Sequence, residues 1–410
     1  MPGILLILIL FIPSETFSQK NLSDICCWAY QLQEINISEI ANNNTFELMV
    51  MDYSADGSDK NKFTSEQIQQ IKESGKVVLA YISIGEAEDY RYYWDEAWDK
   101  DGDGHPDSGA PSWLDSENPQ WKGNYKVRFW HHEWQEIIFS YIDTILAQGF
   151  DGIYCDIIDA YYYWSEEKGE EPQADSLMIQ FILNIREHIS QKKGEEFFII
   201  PQNGEFIIEE DDVSSNLRKS YLNTIQGIGV EDLFFQGNKE EDNPWNPDEE
   251  RIDILKSYID NTIRVFSVEY LTDQNKIDHY VSEARSHNFV PYVTTRDLDR
   301  LADGIRVQVN KKTEPEMRLF ELNQNYPNPF NCSTKVRFDI KETLNIRLAI
   351  VDLLGRIVKK LLNETKPPGT YTVIWNGTNQ QGREVSGGIY LARLTAGESS
   401  PVYKKMIFIK

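Results

Sequence analysis

"GFDGIYCDIIDAYYYW", residues 149–164, sets a β-prone apolar run directly against acids and aromatics. Gly152 to Cys155 is short, apolar and β-prone, the composition of a strand buried on both faces. It ends on a carboxylate, Asp156, and runs through Asp159 into four aromatics, Tyr161, Tyr162, Tyr163 and Trp164. A strand in a plain core has no use for an acid at its end, because burying an unpaired charge is costly. A barrel whose strands deliver polar groups to one open mouth does.

Seven more runs of this kind flank it: "ICCWAYQL" (25–32), "FELMVMDYS" (46–54), "KVVLAYISIGE" (76–86), "EFFIIPQNGE" (196–205), "IQGIGVEDLFF" (225–235), "TIRVFSVEYL" (262–271) and "NFVPYVTTRD" (288–297). Segments of helical period separate them. Trp134, Ile137, Ile138, Tyr141, Ile142 and Ile145 share one helical face, as do Met178, Phe181, Ile182, Ile185 and Ile189. Thr64 and Gln67 have capping-box spacing ahead of Ile68 and Ile71. Eight strand–helix units predict a (β/α)8 TIM barrel over residues 19–308. The rival, a doubly wound open sheet, would carry a glycine-rich phosphate turn after its first strand, and none stands there.

Beyond Val309 the composition changes. Residues 309–321 are polar and turn-rich and read as a linker. Residues 322–410 alternate short strands with turn signals such as Asn376-Gly377 and Gly387-Gly388, which predicts a small all-β immunoglobulin-like sandwich. At the other end, the apolar run Ile4–Ile12 followed by small residues reads as a secretory signal peptide over 1–18, too short to span a membrane. The mature chain is expected to carry no transmembrane segment.

A formal charge of −25 excludes a nucleic-acid partner and suits a cationic ligand. Four cysteines, Cys26, Cys27, Cys155 and Cys332, form no CxxC pair or disulfide framework. Cys155 reads as a small buried hydrophobe.

In such a barrel the residues closing each strand meet at the active site. The second strand ends on Asp52 and Tyr53. The third carries Tyr81 and Ser83 and leads to Glu86, and the fourth ends on Asp156. Gln202 and Asn203 close the fifth, Glu231 the sixth, Glu269 and Tyr270 the seventh, and Arg296 follows the eighth. Converging carboxylates and aromatics suit glycoside hydrolysis, in which one acid protonates the leaving oxygen and the other acts ionised, as nucleophile or base. Trp94, Trp130, Tyr161 to Tyr163 and Trp164 are candidate sugar-stacking faces, and Asp159 a candidate contact. A metallohydrolase would place histidines at strand ends, and none of the eight runs ends on one. A carbohydrate-binding barrel without turnover is the alternative.

"DKDGDGHPD" places Asp99, Asp101, Asp103 and Asp107 at alternating spacing with Gly104 at the turn, the opening of a Ca²⁺ loop. The closing glutamate of an EF-hand is replaced by Ala110, so a structural Ca²⁺ site and a solvated acidic loop both stay open. No cofactor is expected for catalysis.

The barrel resembles glycoside hydrolase family 114, the endo-α-1,4-polygalactosaminidase-like family. The resemblance rests on "AYISIGEAEDYR" (80–91), "GNYKVRFWHHEWQ" (123–135), "GFDGIYCDIIDAY" (149–161), "IPQNGE" (200–205) and "GIGVEDLFF" (227–235). It implies Asp156 as nucleophile or base, Glu231 as general acid, and an α-1,4-linked galactosamine polymer as substrate. An acid pair on strands four and six also resembles retaining α-galactosidase-type barrels, which implies retention. The tail is similar to type IX secretion sorting domains through "NQNYPNPFNCST" (323–334), "VDLLGRIVKKL" (351–361), "GTYTVIWNG" (369–377), "GGIYLARL" (387–394) and "KKMIFIK" (404–410). That likeness implies the type IX machinery as a partner and a secreted or cell-surface location.

Overall fold

The computed structural model describes residues 21–193, 196–305, 320–323, 325, 327–351, 356–396 and 402–409. The expected leader and residues 309–319 of the expected linker lie outside them. The chain divides near residue 309 into two compact units.

The first unit is a TIM-barrel-like α/β domain. Its strands begin with β1 (Trp28–Tyr30), β2 (Leu48–Met51) and β3 (Val77–Ser83). An antiparallel excursion follows, of β4 (Glu86–Glu88), β5 (Leu114–Asn118) and β6 (Trp121–Val127), in the order β4-β6-β5. The main series resumes with β7 (Gly152–Asp156), β8 (Phe198–Pro201), β9 (Gly227–Glu231), β10 (Arg264–Tyr270) and β11 (Val290–Thr294). Parallel pairing runs β1-β2-β3-β7-β8 in one sheet and β9-β10-β11 in another. A bridge between Gln202 and Gly229 and the backbone bond from the Gln226 amide to the Ile199 carbonyl join the two.

All eight apolar runs form strands, but the expected closed barrel is met only in part. Among the described residues no backbone ladder joins β1 to β11. That seam is held instead by the Trp28 ring N–H, which donates to the Val290 carbonyl at 2.9 Å, and by the Leu32 and Gln33 amides, which donate to the Leu298 carbonyl. Three residues of β1 are too few to make a full ladder on both sides. Bulky rings fill the interior behind it: Trp28 lies against Tyr30, Tyr154, Phe266 and Tyr292.

Local signals explain the helices. Thr64 and Gln67 form the reciprocal capping box that starts the helix Ser65–Glu73, and alanine at 64 would cost on the order of 1 kcal/mol. The helix His132–Gln148 buries Trp134, Ile138, Tyr141, Ile142 and Ile145 and stops at Gly149, whose φ of 89° only glycine adopts freely. Asp151 enters β7 at the opposite end of the strand from Asp156. Its carboxylate accepts from the Val78 amide and pairs with Lys72. Among the described residues no helix is long and apolar enough to cross a membrane.

The second unit is mostly β. Its strands are β12 (Phe320–Leu322), β13 (Thr334–Ile340), β14 (Leu344–Val351), β15 (Ile357–Lys366), β16 (Gly369–Trp375), β17 (Gly388–Ala396) and β18 (Val402–Phe408). They form antiparallel sheets ordered β12-β13-β16 and β15-β14-β17-β18. Val336 and Phe338 from one, Ile346, Leu394 and Met406 from the other, and Trp375 share one apolar core. The first described strand starts at Phe320, two residues before the expected boundary.

Candidate active site

Two carboxylates face the interior at the ends of β7 and β9. Tyr154 and Asp156 are two apart on β7 and share a face. Tyr154 packs 5.4 Å from Tyr30 inside the barrel, so Asp156 is directed inward as well. Gly229 and Glu231 share a face on β9 in the same way. Gly229 fronts Tyr154 so closely that a Cβ there would lie 1.8 Å from the Tyr154 hydroxyl oxygen. The bare glycine gives the tyrosine its place between the two strands.

Both carboxylates are fully engaged. Tyr81 donates its hydroxyl to Asp156 Oδ2 at 2.7 Å, and the Ile157 amide donates to Oδ1 at 2.8 Å. Asn203 Nδ2 donates to Glu231 Oε1 at 3.1 Å, and the Tyr270 hydroxyl to Oε2 at 2.5 Å. Burial, and next the negative charge of Glu231, push Asp156 well above the usual carboxylate range; the Tyr81 and Ile157 donors pull the other way. Asp159, in the loop after β7, is pushed up to about 6, first by the protein crowded around it and then by Glu231 and Glu205. The residue is exposed, so solvent moderates that rise.

Three consecutive strand ends turn through left-handed residues: Ile157 after β7 (φ 60°), Asn203 after β8 (59°) and Asp232 after β9 (51°). For β-branched Ile157 this costs on the order of 1–3 kcal/mol. Gly85 makes room for it, since a Cβ at that position would lie 2.1 Å from the Ile157 carbonyl oxygen. The backbone therefore leaves each strand sharply.

The other expected site residues divide. Tyr81, Asn203 and Tyr270 surround the acid pair, each as a donor to it. Arg296 lies nearby, with its guanidinium 3.8 Å from the Tyr270 ring, but it is held in a two-fold ion pair with Asp232 at 2.8 and 3.0 Å. Gln202 is buried, with its amide oxygen unpartnered. Trp130 is half-buried, edge-on to Phe129 and Trp164.

Five of the expected sugar contacts are held by groups of the fold itself. Asp52 is buried in an ion pair with Arg91 at 2.7 Å, and Arg91 also binds Glu88. Tyr53 is fully buried, with its hydroxyl on the Gly57 carbonyl. Ser83 caps the turn into the excursion through the Glu86 backbone. Glu269 is buried on the face opposite to Tyr270, accepts from the Phe234 amide at 2.7 Å, and is pushed up to about 8 by burial. Glu86 is also buried, on Asn118 at 2.8 Å and beside Lys126, with its second oxygen unpartnered. Of the aromatics after Asp159, Trp164 is buried on the Val127 carbonyl and Tyr162 is exposed.

Sequence reasoning missed Arg251. From the helix Glu249–Asp260 it pairs with buried Glu205, donates to the Glu231 carbonyl at 3.1 Å and to Asn203 Oδ1 at 3.3 Å. Nothing in its local sequence marks it, because its partners lie on two other loops.

In the acidic loop, carboxylate oxygens of Asp99, Asp101 and Asp103 come within 4.8 Å of one another; Asp107 is not among them and accepts from the Lys100 amide. Partial burial would raise Asp99, but donation from Tyr125 and the Gly104, Gly102 and Asp103 amides outweighs it and holds the carboxyl below its usual range.

A strand-end acid pair with hydroxyl and amide donors, in a barrel-like α/β domain, is an arrangement that can carry paired-carboxylate glycoside chemistry. Residues 15–314 match the glycoside-hydrolase family GH114, and the chain belongs to that family. Residues 324–410 match the secretion system C-terminal sorting domain. An uncharacterized protein of Methanocaldococcus jannaschii is 42% identical over 287 residues, covering 67% of this chain and 77% of that protein. The barrel is also similar in fold to the glycoside hydrolase domain of PelA from Pseudomonas aeruginosa, with a TM-score of 0.51 at 17% identity, over 69% of this chain and 98% of that one. Ega3 of Aspergillus fumigatus, solved in complex with galactosamine, gives 0.50 at 16% identity, over 70% and 97%. The protein is a glycoside hydrolase whose sorting domain points to secretion or the cell surface through the type IX system.

Proposed function

We propose that this protein is an endo-acting, retaining hydrolase of α-1,4-linked galactosamine-containing polysaccharide. The observation that carries the reading is the interior acid pair, Asp156 and Glu231, with every carboxylate oxygen held by a neighbouring donor. Asp156 attacks the anomeric carbon while Glu231 gives its proton to the leaving oxygen. Water then opens the glycosyl-enzyme bond, with Glu231 taking the water's proton. Burial and the charge of Glu231 raise Asp156, while the Tyr81 and Ile157 donors favour its ionised form. Positive charge developing at the anomeric carbon favours ionised Asp156, so the proton resides on Glu231 as the bond breaks.

Free amino groups on a partly deacetylated polymer are cationic, which suits an acidic cleft and a chain of charge −25. We also propose Ca²⁺ at Asp99, Asp101 and Asp103, export by a leader over residues 1–18, and an immunoglobulin-like topology for the C-terminal sheets. The substrate assignment is tested by incubating the protein with α-1,4-polygalactosamine and with α-galactan, and measuring new reducing ends. Release from the first alone is expected; release from neither removes the assignment.

A further inference from the structure

Asn203 Oδ1 accepts two hydrogen bonds, from the Glu231 amide and from Arg251 Nη2, both at 3.3 Å. Both groups can only donate, so the oxygen of the Asn203 amide must face them and its nitrogen must face Glu231 Oε1. That nitrogen is likewise only a donor. A proton on Oε1 would therefore meet an N–H head-on, and protonated Glu231 must carry its proton on Oε2. The neighbour of Oε2 is the Tyr270 hydroxyl, which can donate to a carboxylate or accept from a carboxylic acid. Arg251 is itself fixed from behind by Glu205, which is 2% exposed. Its third bond, to the Glu231 carbonyl, ties the loop after β8 to the end of β9.

We propose that Arg251, braced by Glu205, is a positioning residue that acts through Asn203 to place the acid proton on Oε2 of Glu231. The inference rests on the reading of Glu231 as general acid. Without the guanidinium, the Asn203 amide loses one of the two donors that fix its orientation. Flipped, it would present its oxygen to Oε1, and the proton would be drawn there, away from the oxygen beside Tyr270.

The readout that separates this role from general support is the dependence on the leaving group. A substrate with a poor leaving group needs the proton, whereas an activated aryl galactosaminide does not. Arg251→Lys and Asn203→Asp are compared with wild type on polygalactosamine and on a dinitrophenyl galactosaminide, with Glu231→Gln as control. Both variants are expected to lose about 10–100-fold in kcat/KM on the polymer and to stay within about 3-fold in kcat/KM on the aryl substrate, which reports the bond-breaking step alone, at wild-type Tm. Equal losses on the two substrates, or no loss on the polymer, overturn the proposal. If Glu231→Gln itself shows no such selectivity, the acid assignment fails instead. If one variant does not fold, the other decides.

Discussion

At the scale of single residues, the site is built on parity. Side chains alternate across a strand, so of two adjacent polar residues at a strand end only one faces the interior. Asp156 shares its face with Tyr154, Glu231 with Gly229, and both acids were legible as strand-end carboxylates. Glu269 was legible as an acid but not as an outward one, because β10 is apolar on both faces and gives no alternation to count from. Two predictions belong here. Tyr81 donates to Asp156 and lowers it against the raising effect of burial. Tyr81→Phe removes that stabilisation of the ionised form, so the acidic limb of kcat/KM should move up by roughly one pH unit; an unmoved limb means that Tyr81 does not tune the nucleophile. Glu269 keeps its proton in the folded state up to about pH 8, whereas the unfolded chain releases it near pH ~4.3. Between those values the folded state binds more protons, so stability falls as pH rises. Glu269→Gln should therefore raise Tm more at pH 8 than at pH 5, and an equal shift at both contradicts the buried neutral acid.

At the scale of elements, the eight barrel strands were readable because each is a short, continuous β-prone run. The excursion β4–β6 was not, since β5 and β6 are polar and partly exposed, with no apolar run to announce them. Their positions come from long-range contacts. The Trp164 ring N–H donates to the Val127 carbonyl, Arg128 pairs with Glu170, and Lys126 stands 4.2 Å from the Tyr163 ring, which fastens β6 to the loop beyond Asp156. Arg251 escaped for the same reason: its meaning lies in Glu205, Asn203 and Glu231, far away in sequence. The acidic loop sits in this excursion, with Asp99 bonded to Tyr125 on β6 at 2.6 Å. A bound Ca²⁺ should raise Tm by roughly 5 °C at about 100 Kd of CaCl2, and Asp101→Ala with Asp103→Ala should abolish the gain. Identical melting of the wild type in CaCl2 and in EDTA removes the site.

At the scale of the whole molecule, two units carry separate tasks. The composition break near Val309 was visible, while the seam between β1 and β11 was not, because closure depends on how many residues β1 can pair. The sorting domain holds its own core and no candidate catalytic cluster among its described residues. Deleting residues 324–410 should therefore block export through the type IX system while leaving turnover by the purified protein unchanged, and loss of turnover would tie the two units together. The roles of Asp156 and Glu231 are measured by reducing-end release from α-1,4-polygalactosamine by wild type, Asp156→Asn and Glu231→Gln. Wild type should release ends, and each variant should fall by about 10²-fold or more at unchanged Tm. Variants as active as wild type would contradict the assignment of the pair.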